Sequence, residues 1–253
     1  MNFNMSFGDK PKGPAQSLVE WIATGFSIAY FLTPLYQVLS VYRKKMKAEH
    51  IPILLLVSIM INCCLWVGFA IRSTDWLSML IGNSIGLGVN YILLILHLYL
   101  FFEKKWKPFL GYSLFVTNLL VEIGYLMFLV VQKTDYIGFT AMLVNVFMYG
   151  SPILNIYKLY STGEYGFLPI LTNLIGFMTC IVWIFYGVMT KNDNTIISNG
   201  VSLLLLVIQI GFWFYFFFRK IKTLTESTTQ TSQFQSRIEN DIKNISINEE
   251  KGN

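Results

Sequence analysis

Stretches of about twenty apolar residues recur along this chain, with the charged residues gathered into short runs between them. A helix of that length crosses roughly 30 Å of hydrocarbon. Spans are expected over 18–41, 51–71, 76–102, 108–131, 135–160, 167–190 and 195–220. Composition agrees, because 13% of the residues are charged and 54% hydrophobic, against roughly 25% charged in a typical soluble domain. The expected class is an all-α polytopic membrane protein with seven transmembrane helices. The first 17 residues are polar and carry Pro11, Gly13 and Pro14, so they are expected as an N-terminal segment without a cleavable signal. Cys63, Cys64 and Cys180 all fall inside spans, as packing residues rather than a disulfide framework.

The net charge of +5 does not imply nucleic-acid binding, because its distribution follows the spans. One side collects twelve Lys and Arg residues, from Arg43, Lys44, Lys45 and Lys47 to Arg219, Lys220, Lys222 and Arg237; the other has Lys10, Lys12, Arg72, Lys133 and Lys191. The positive-inside rule then places the C-terminus in the cytosol and the N-terminus outside.

One pattern occurs twice. Pro34, Pro52, Trp66 and Asn83 return as Pro152, Pro169, Trp183 and Asn199, at offsets of 118, 117, 117 and 116 residues. Internal repeats in a membrane protein point to a transporter with its substrate site near the midplane, between the repeats. Two three-helix units, 18–102 and 135–220, are expected as parallel bundles. The span 108–131, which lacks the repeat's marks, serves as a linker helix that restores the orientation of the second unit. Residues 221–253 are polar and nearly lack aromatics, and are expected as a disordered cytosolic tail.

Each repeated residue admits a bland and a functional reading. A proline inside a helix removes a hydrogen bond and clashes one turn back, while one at a helix start is a simple first-turn residue, the alternative for Pro52 and Pro169. Four prolines at one depth would form a hinge and part of an inner gate. Asn83 and Asn199 either tie helices together or face a cavity, where carboxamides suit the hydroxyls of a neutral solute. Trp66 and Trp183 belong either to the interfacial belt or to the faces of a site that stacks on the C–H faces of a sugar ring.

The segments Phe147-Met-Tyr-Gly-Ser-Pro152, Gly166-Phe-Leu-Pro169, Trp183-Ile-Phe-Tyr-Gly187, Asp193 and Ser198-Asn199-Gly200 resemble the second repeat of the SWEET sugar transporters. Thr33-Pro34, Ile51-Pro52, Trp66-Val-Gly68 and Asn83-Ser-Ile-Gly86 resemble the first more loosely. The likeness covers residues 20–220, and parallel repeats are established in that family. It implies a facilitative uniporter of mono- or disaccharides, needing no cofactor or ion. It implies that Trp66, Trp183, Asn83 and Asn199 line the pocket with Asn62 and Thr179, and that the four prolines form the hinge. Tyr30 and Phe147 match positions associated with substrate size, and their bulk points to a monosaccharide. Tyr186 and Asp193 match the outer gate. The resemblance also favours the plasma membrane and a homo-oligomer. Two departures stand out: Ser198 where the family has Pro, and Phe69-Ala70 where the second repeat has Tyr186-Gly187.

Two rival readings share the topology. A proton-coupled carrier of the same plan needs a titratable group in the membrane, for which Glu122 and His97 are the deep candidates; both are read as structural. A seven-span receptor leaves the repeat and the prolines in register unexplained. Neither a nucleophile–base set nor metal-ligand spacing supports an enzyme. The reading is therefore passive sugar transport by alternating access, with the solute and the bilayer as partners.

Overall fold

The computed structural model describes residues 13–48, 51, 53–72, 77–103, 105–130, 134–155, 161 and 169–251. They form seven α-helices: α1 (Pro14–Tyr42), α2 (Ile53–Arg72), α3 (Leu77–Phe101), α4 (Trp106–Val130), α5 (Thr134–Gly150), α6 (Ile170–Thr190) and α7 (Asp193–Lys251). A 3-10 turn over Ser151–Asn155 follows α5. By length and apolar composition α1, α2, α3, α6 and the 195–235 stretch of α7 each suffice to cross a membrane.

The helix ends are written locally. Gly13 holds an extended backbone before Pro14 at the first helical position, where a missing N–H costs nothing. The Gln16 side chain accepts from the Gly13 N–H at 3.0 Å. Helix α6 ends at Lys191 in the left-handed region (φ 56°). The next residue, Asn192, then caps α7 by accepting the Thr195 N–H at 3.1 Å.

Within residues 1–211, α1 packs on α3 and on α6, and α2 packs on α3 and on α5. Close approach depends on glycine, as is usual for helices in lipid. A Cβ on Gly86 of α3 would lie 2.5 Å from the Phe31 ring of α1 and 2.8 Å from the Cys63 sulfur of α2. One apolar cluster joins the two repeats, with Tyr30, Phe31, Leu55, Ile59 and Cys63 from the first and Met148, Tyr149, Cys180 and Leu206 from the second. A second cluster packs Leu65, Phe69 and Ala70 of α2 against Ile137 and Ala141 of α5. The cysteines are free thiols, Cys63 and Cys180 within the first cluster.

The prolines of the two first helices are compensated in the same way. Pro34 leaves the carbonyl one turn earlier, that of Tyr30, without its helical donor. The Thr33 hydroxyl donates to that carbonyl at 2.7 Å. Pro152 does the same to Met148, and the Ser151 hydroxyl donates to it at 2.9 Å. The next carbonyl is held by the third helix of each repeat. Asn90 Nδ2 donates to the Phe31 carbonyl at 2.9 Å, and Gln209 Nε2 donates to the Tyr149 carbonyl at 2.7 Å. Side-chain donors of this kind are how apolar surroundings tolerate a loosened helix. The outcome still differs between repeats: α1 runs through Pro34, whereas α5 stops at Gly150. The fifth span is therefore not the continuous helix over 135–160 that apolar length alone implies. Pro169 is the N-cap of α6, the helix-start position. Pro52 lies outside the described residues, as do residues 1–12.

Past Gly211, helix α7 continues to Lys251, where the sequence reading expects a disordered tail from 221. Between Phe212 and Lys251 there is neither Pro nor Gly. A helix already nucleated upstream therefore propagates one bond per residue without a breaker. The segment is tied along its own length by ring stacking of Trp213 on Phe217 (4.9 Å) and by the Lys222–Glu226 pair at 4.0 Å.

Candidate functional site

Six helices line a partly open cavity. Its wall takes Ser27 and Phe31 from α1, Asn62 and Trp66 from α2, and Met79 and Asn83 from α3. The second repeat contributes Met142, Asn145, Met148 and Tyr149 from α5, Trp183 and Tyr186 from α6, and Asn192, Thr195, Ser198 and Asn199 at the start of α7. None of these side chains is ionic.

The repeat is visible in the geometry. Trp66 meets Phe69 edge-on at 5.6 Å and 86°, and Trp183 meets Tyr186 edge-on at 5.5 Å and 88°. Asn83 donates Nδ2 to the Met79 carbonyl at 2.9 Å, and Asn199 donates Nδ2 to the Thr195 carbonyl at 2.9 Å. Each carboxamide is thus pinned to its own helix by one N–H, which leaves its oxygen and second N–H for a solute. The indole N–H of Trp183 donates to the Ser27 hydroxyl at 3.0 Å, which in turn donates to the Ala23 carbonyl. Aromatic rings and uncharged carboxamides on one cavity wall suit a neutral solute that carries hydroxyls and apolar ring faces.

Other expected site residues are positioned differently. Thr179 is buried, and its hydroxyl donates to the carbonyls of Ile175 (2.8 Å) and Phe26 (3.2 Å), outside the cavity wall. Tyr30 is packed against Tyr149 at 4.9 Å in the apolar cluster rather than on the wall. Phe147 is 52% exposed; its neighbour Met148 lines the cavity instead, because the adjacent residue lies about 100° further round the helix. Asp193 is exposed, and Asn192 is the residue on the wall. Ser27, Asn145 and Thr195 also line the cavity and were not singled out from the sequence. Placing them needs the helix rotations that only packing supplies.

His97, Glu122 and Glu20 stand apart from the wall. His97 is fully buried on α3, 5.9 Å from Phe101, and neither ring nitrogen has a hydrogen-bond partner among the described residues. Glu122 is exposed on α4 and accepts from Asn118 at 2.7 Å. Glu20 is buried and accepts the Ser78 hydroxyl of α3. Among the described residues no group of three His, Cys, Asp or Glu could hold a metal ion.

The family model for sugar efflux transporters for intercellular exchange matches residues 17–107 and 135–222, two stretches that flank α4. The chain is 25% identical over 222 residues to the bidirectional sugar transporter SWEET8 of Arabidopsis thaliana, covering 83% of this chain and 92% of the relative. It is 25% identical to SWEET7 of the same plant, over 77% of this chain and 78% of the relative. With the rice protein SWEET11 (Oryza sativa subsp. japonica) it shares 23% identity, over 79% of this chain and 67% of that one. In fold it is similar to the solved structure of a eukaryotic SWEET transporter, with a TM-score of 0.61 at 18% identity, covering 80% of this chain and 96% of that one.

Proposed function

The chain belongs to the family of sugar efflux transporters for intercellular exchange, and on that premise we propose that it is a facilitative, bidirectional sugar carrier working by alternating access. It is a multi-pass membrane protein of a transporter family, not an enzyme. Its named relatives are bidirectional sugar transporters, which favours flow in either direction down a gradient. The observation that carries the reading is one cavity without ionic side chains whose wall holds both members of two repeat-related pairs, Trp66 with Trp183 and Asn83 with Asn199.

The sugar ring stacks its C–H faces on the two indoles, and its hydroxyls meet the free carboxamide atoms of Asn83, Asn199 and Asn62. Thr179 supports the wall through the Phe26 carbonyl instead of touching solute. Bulk at Phe31 and Met148, with Tyr30 packed against Phe31 (6.0 Å), favours a monosaccharide. Loosened helix bonds at Pro34 and Pro152, with Pro52 and Pro169 as the second pair, let the inner halves of the bundles swing. Tyr186, which shares the cavity wall with Asn192, closes the outer side together with Asp193. The chain sits in the plasma membrane with its N-terminus outside and its C-terminus in the cytosol, as the excess of Lys and Arg on one side favours, and it works as a homo-oligomer.

Uptake of radiolabelled glucose and sucrose into proteoliposomes, with and without an imposed pH gradient, tests the reading. Saturable glucose flux that only equilibrates, whatever the gradient, is expected. Accumulation above equilibrium driven by pH would sink the uniport mechanism, and absence of flux for both sugars would sink the substrate class.

A further inference from the structure

The two helix seams that join the repeats are built differently. Helix α1 meets α6 through hydrogen bonds at every level. Gln16 donates to the Met189 carbonyl at 3.1 Å, Thr179 to the Phe26 carbonyl at 3.2 Å, Trp183 to the Ser27 hydroxyl at 3.0 Å, and Thr172 to the Thr33 hydroxyl at 2.8 Å. The register does not slip along the way. Gln16 to Phe26 is ten residues on α1, and Met189 to Thr179 is ten on α6; Phe26 to Thr33 is seven, and Thr179 to Thr172 is seven. The two helices therefore run antiparallel. Their bonds span about 25 Å of axial rise, most of the ~30 Å of a bilayer's hydrocarbon core.

The seam between α2 and α5, its mate by the repeat, is held by apolar contact. Leu65, Phe69 and Ala70 pack on Ile137 and Ala141, and a Cβ on Gly138 would lie 3.1 Å from the Phe69 ring. By the offsets of 118 and 117 residues, Thr33 and Thr172 correspond to Ser151 and Leu55. Leu55 has no polar side-chain atom, and the Ser151 hydroxyl donates to the Met148 carbonyl three residues earlier. The first helices differ as well. Helix α1 runs unbroken through Pro34, whereas α5 stops at Gly150 and passes into a 3-10 turn that contains Pro152.

The two kinds of contact respond differently to motion in a membrane. Parted apolar faces are covered again by lipid chains, which are as apolar as the helices themselves. Parted hydrogen-bonding groups find no water in the hydrocarbon and stay unpaired. A rocking motion therefore follows the seam whose contacts have no direction, and it bends where a helix is already interrupted.

We propose that α1 and α6 remain locked to each other as a spine through the transport cycle, and that the cavity gains access to either side by the parting of α5 from α2. Gly138 beneath the Phe69 ring is the sliding contact at the outer end, and Gly150 with Pro152 marks the bend at the inner end. Pro34 lets the inner end of the spine flex without parting it, because Thr33 is bonded to Thr172. Gln16, Thr33 and Thr172 are then positioning residues, off the cavity wall, that confine the motion to one seam. The inference rests on the alternating-access reading and deepens it: the repeats share a sequence pattern but move unequally.

The test uses the full chain in proteoliposomes, with cysteine pairs that each lock one seam. Gln16→Cys with Met189→Cys, and Thr33→Cys with Thr172→Cys, bridge α1 to α6; Phe69→Cys with Gly138→Cys bridges α2 to α5. Each is assayed for labelled glucose flux when reduced, oxidised and reduced again, with wild type as the control for the native thiols. Both α1–α6 bridges should leave flux within about twofold of the reduced protein, and the α2–α5 bridge should lower it more than roughly tenfold, reversibly. Loss of flux on bridging α1 to α6, or full flux with α2 bridged to α5, overturns the proposal. A second measurement leaves every contact in place, and decides if a bridged pair fails to fold. Spin labels at the exposed Leu18 and Val188 read the α1–α6 distance, and labels at the exposed Ile71 and Phe139 read the α2–α5 distance. Saturating glucose should shift only the second; a shift of the first, or of neither, overturns the spine. Wild type without flux of any sugar overturns the carrier reading and the spine with it, an outcome distinct from active wild type that stops when α1 is bridged to α6.

Discussion

Thr33 donates its hydroxyl across 2.7 Å to the carbonyl of Tyr30, the backbone acceptor that Pro34 deprives of its helical N–H. The same hydroxyl accepts from Thr172 of α6 at 2.8 Å, so the bond that repairs the helix also joins the two repeats. Thr33→Val keeps the shape and removes both bonds. It should lower stability by about 1–3 kcal/mol, the usual effect of leaving buried polar groups unpaired. Thermal unfolding in detergent would read this as a lowered midpoint, with Thr33→Ser near wild type. An unchanged midpoint for Thr33→Val would show that the carbonyl finds another donor.

The carboxamides of the third helices hold the neighbouring carbonyls, Asn90 that of Phe31 and Gln209 that of Tyr149. Both side chains are fully buried. Asn90→Leu and Gln209→Leu should each destabilise by roughly 1–3 kcal/mol. Phe31 and Tyr149 share one apolar cluster, so the two effects should fail to add in the double variant by about 0.5 kcal/mol or more. Simple additivity in the unfolding midpoints would show that the two hinges are independent.

Ser27 is the only described partner of the Trp183 indole N–H, at 3.0 Å. Ser27→Ala frees the ring. The loss of about 1 kcal/mol of orientation corresponds to an increase in the transport KM of roughly fivefold. A kinetic series over glucose concentration measures it, and an unchanged KM would mean that apolar packing alone sets the ring.

Asn199 presents its remaining carboxamide atoms to the cavity after one N–H is bound to Thr195. Asn199→Ala should abolish measurable flux, a loss greater than roughly tenfold, while the protein still reaches the membrane. Full transport by this variant would refute the pocket assignment.

Gly86 and Gly88 sit on the same helix in opposite circumstances. A Cβ at Gly86 meets Phe31 at 2.5 Å, while one at Gly88 meets nothing within 4 Å. Gly86→Ala should destabilise by about 1–3 kcal/mol through overpacking. Gly88→Ala should be neutral or stabilising by up to about 1 kcal/mol through helix propensity. Unfolding midpoints of the two variants side by side decide it; equal values would mean that α1 and α3 yield freely at this crossing.

Much of the architecture was legible because it depends on one-dimensional quantities. Apolar length marks a span wherever it occurs, and residues such as Pro34, Trp66 and Asn83 are unusual enough in lipid that their recurrence near a fixed offset exposes the repeat. The family follows from the same residues. What depended on helix rotation was not legible. Phe147 and Met148 are neighbours in sequence and nearly equal in bulk, yet one is 52% exposed and the other lines the cavity. The choice between Asp193 and Asn192 turned on where α6 ended and which residue capped the next helix.

By itself, then, the sequence determined the helical membrane class, the two repeats and the residue types at the centre, because transfer of apolar length into lipid is nearly independent of neighbours. Tertiary structure decided which polar atoms are free and which are already satisfied. Asn62 and Thr179 occupy matching repeat positions, but the Thr179 hydroxyl is consumed by backbone carbonyls, while the Asn62 carboxamide oxygen has no partner among the described residues. Hydrogen bonding requires a partner at about 3 Å with the right direction. No pattern of residue types along a chain contains that distance.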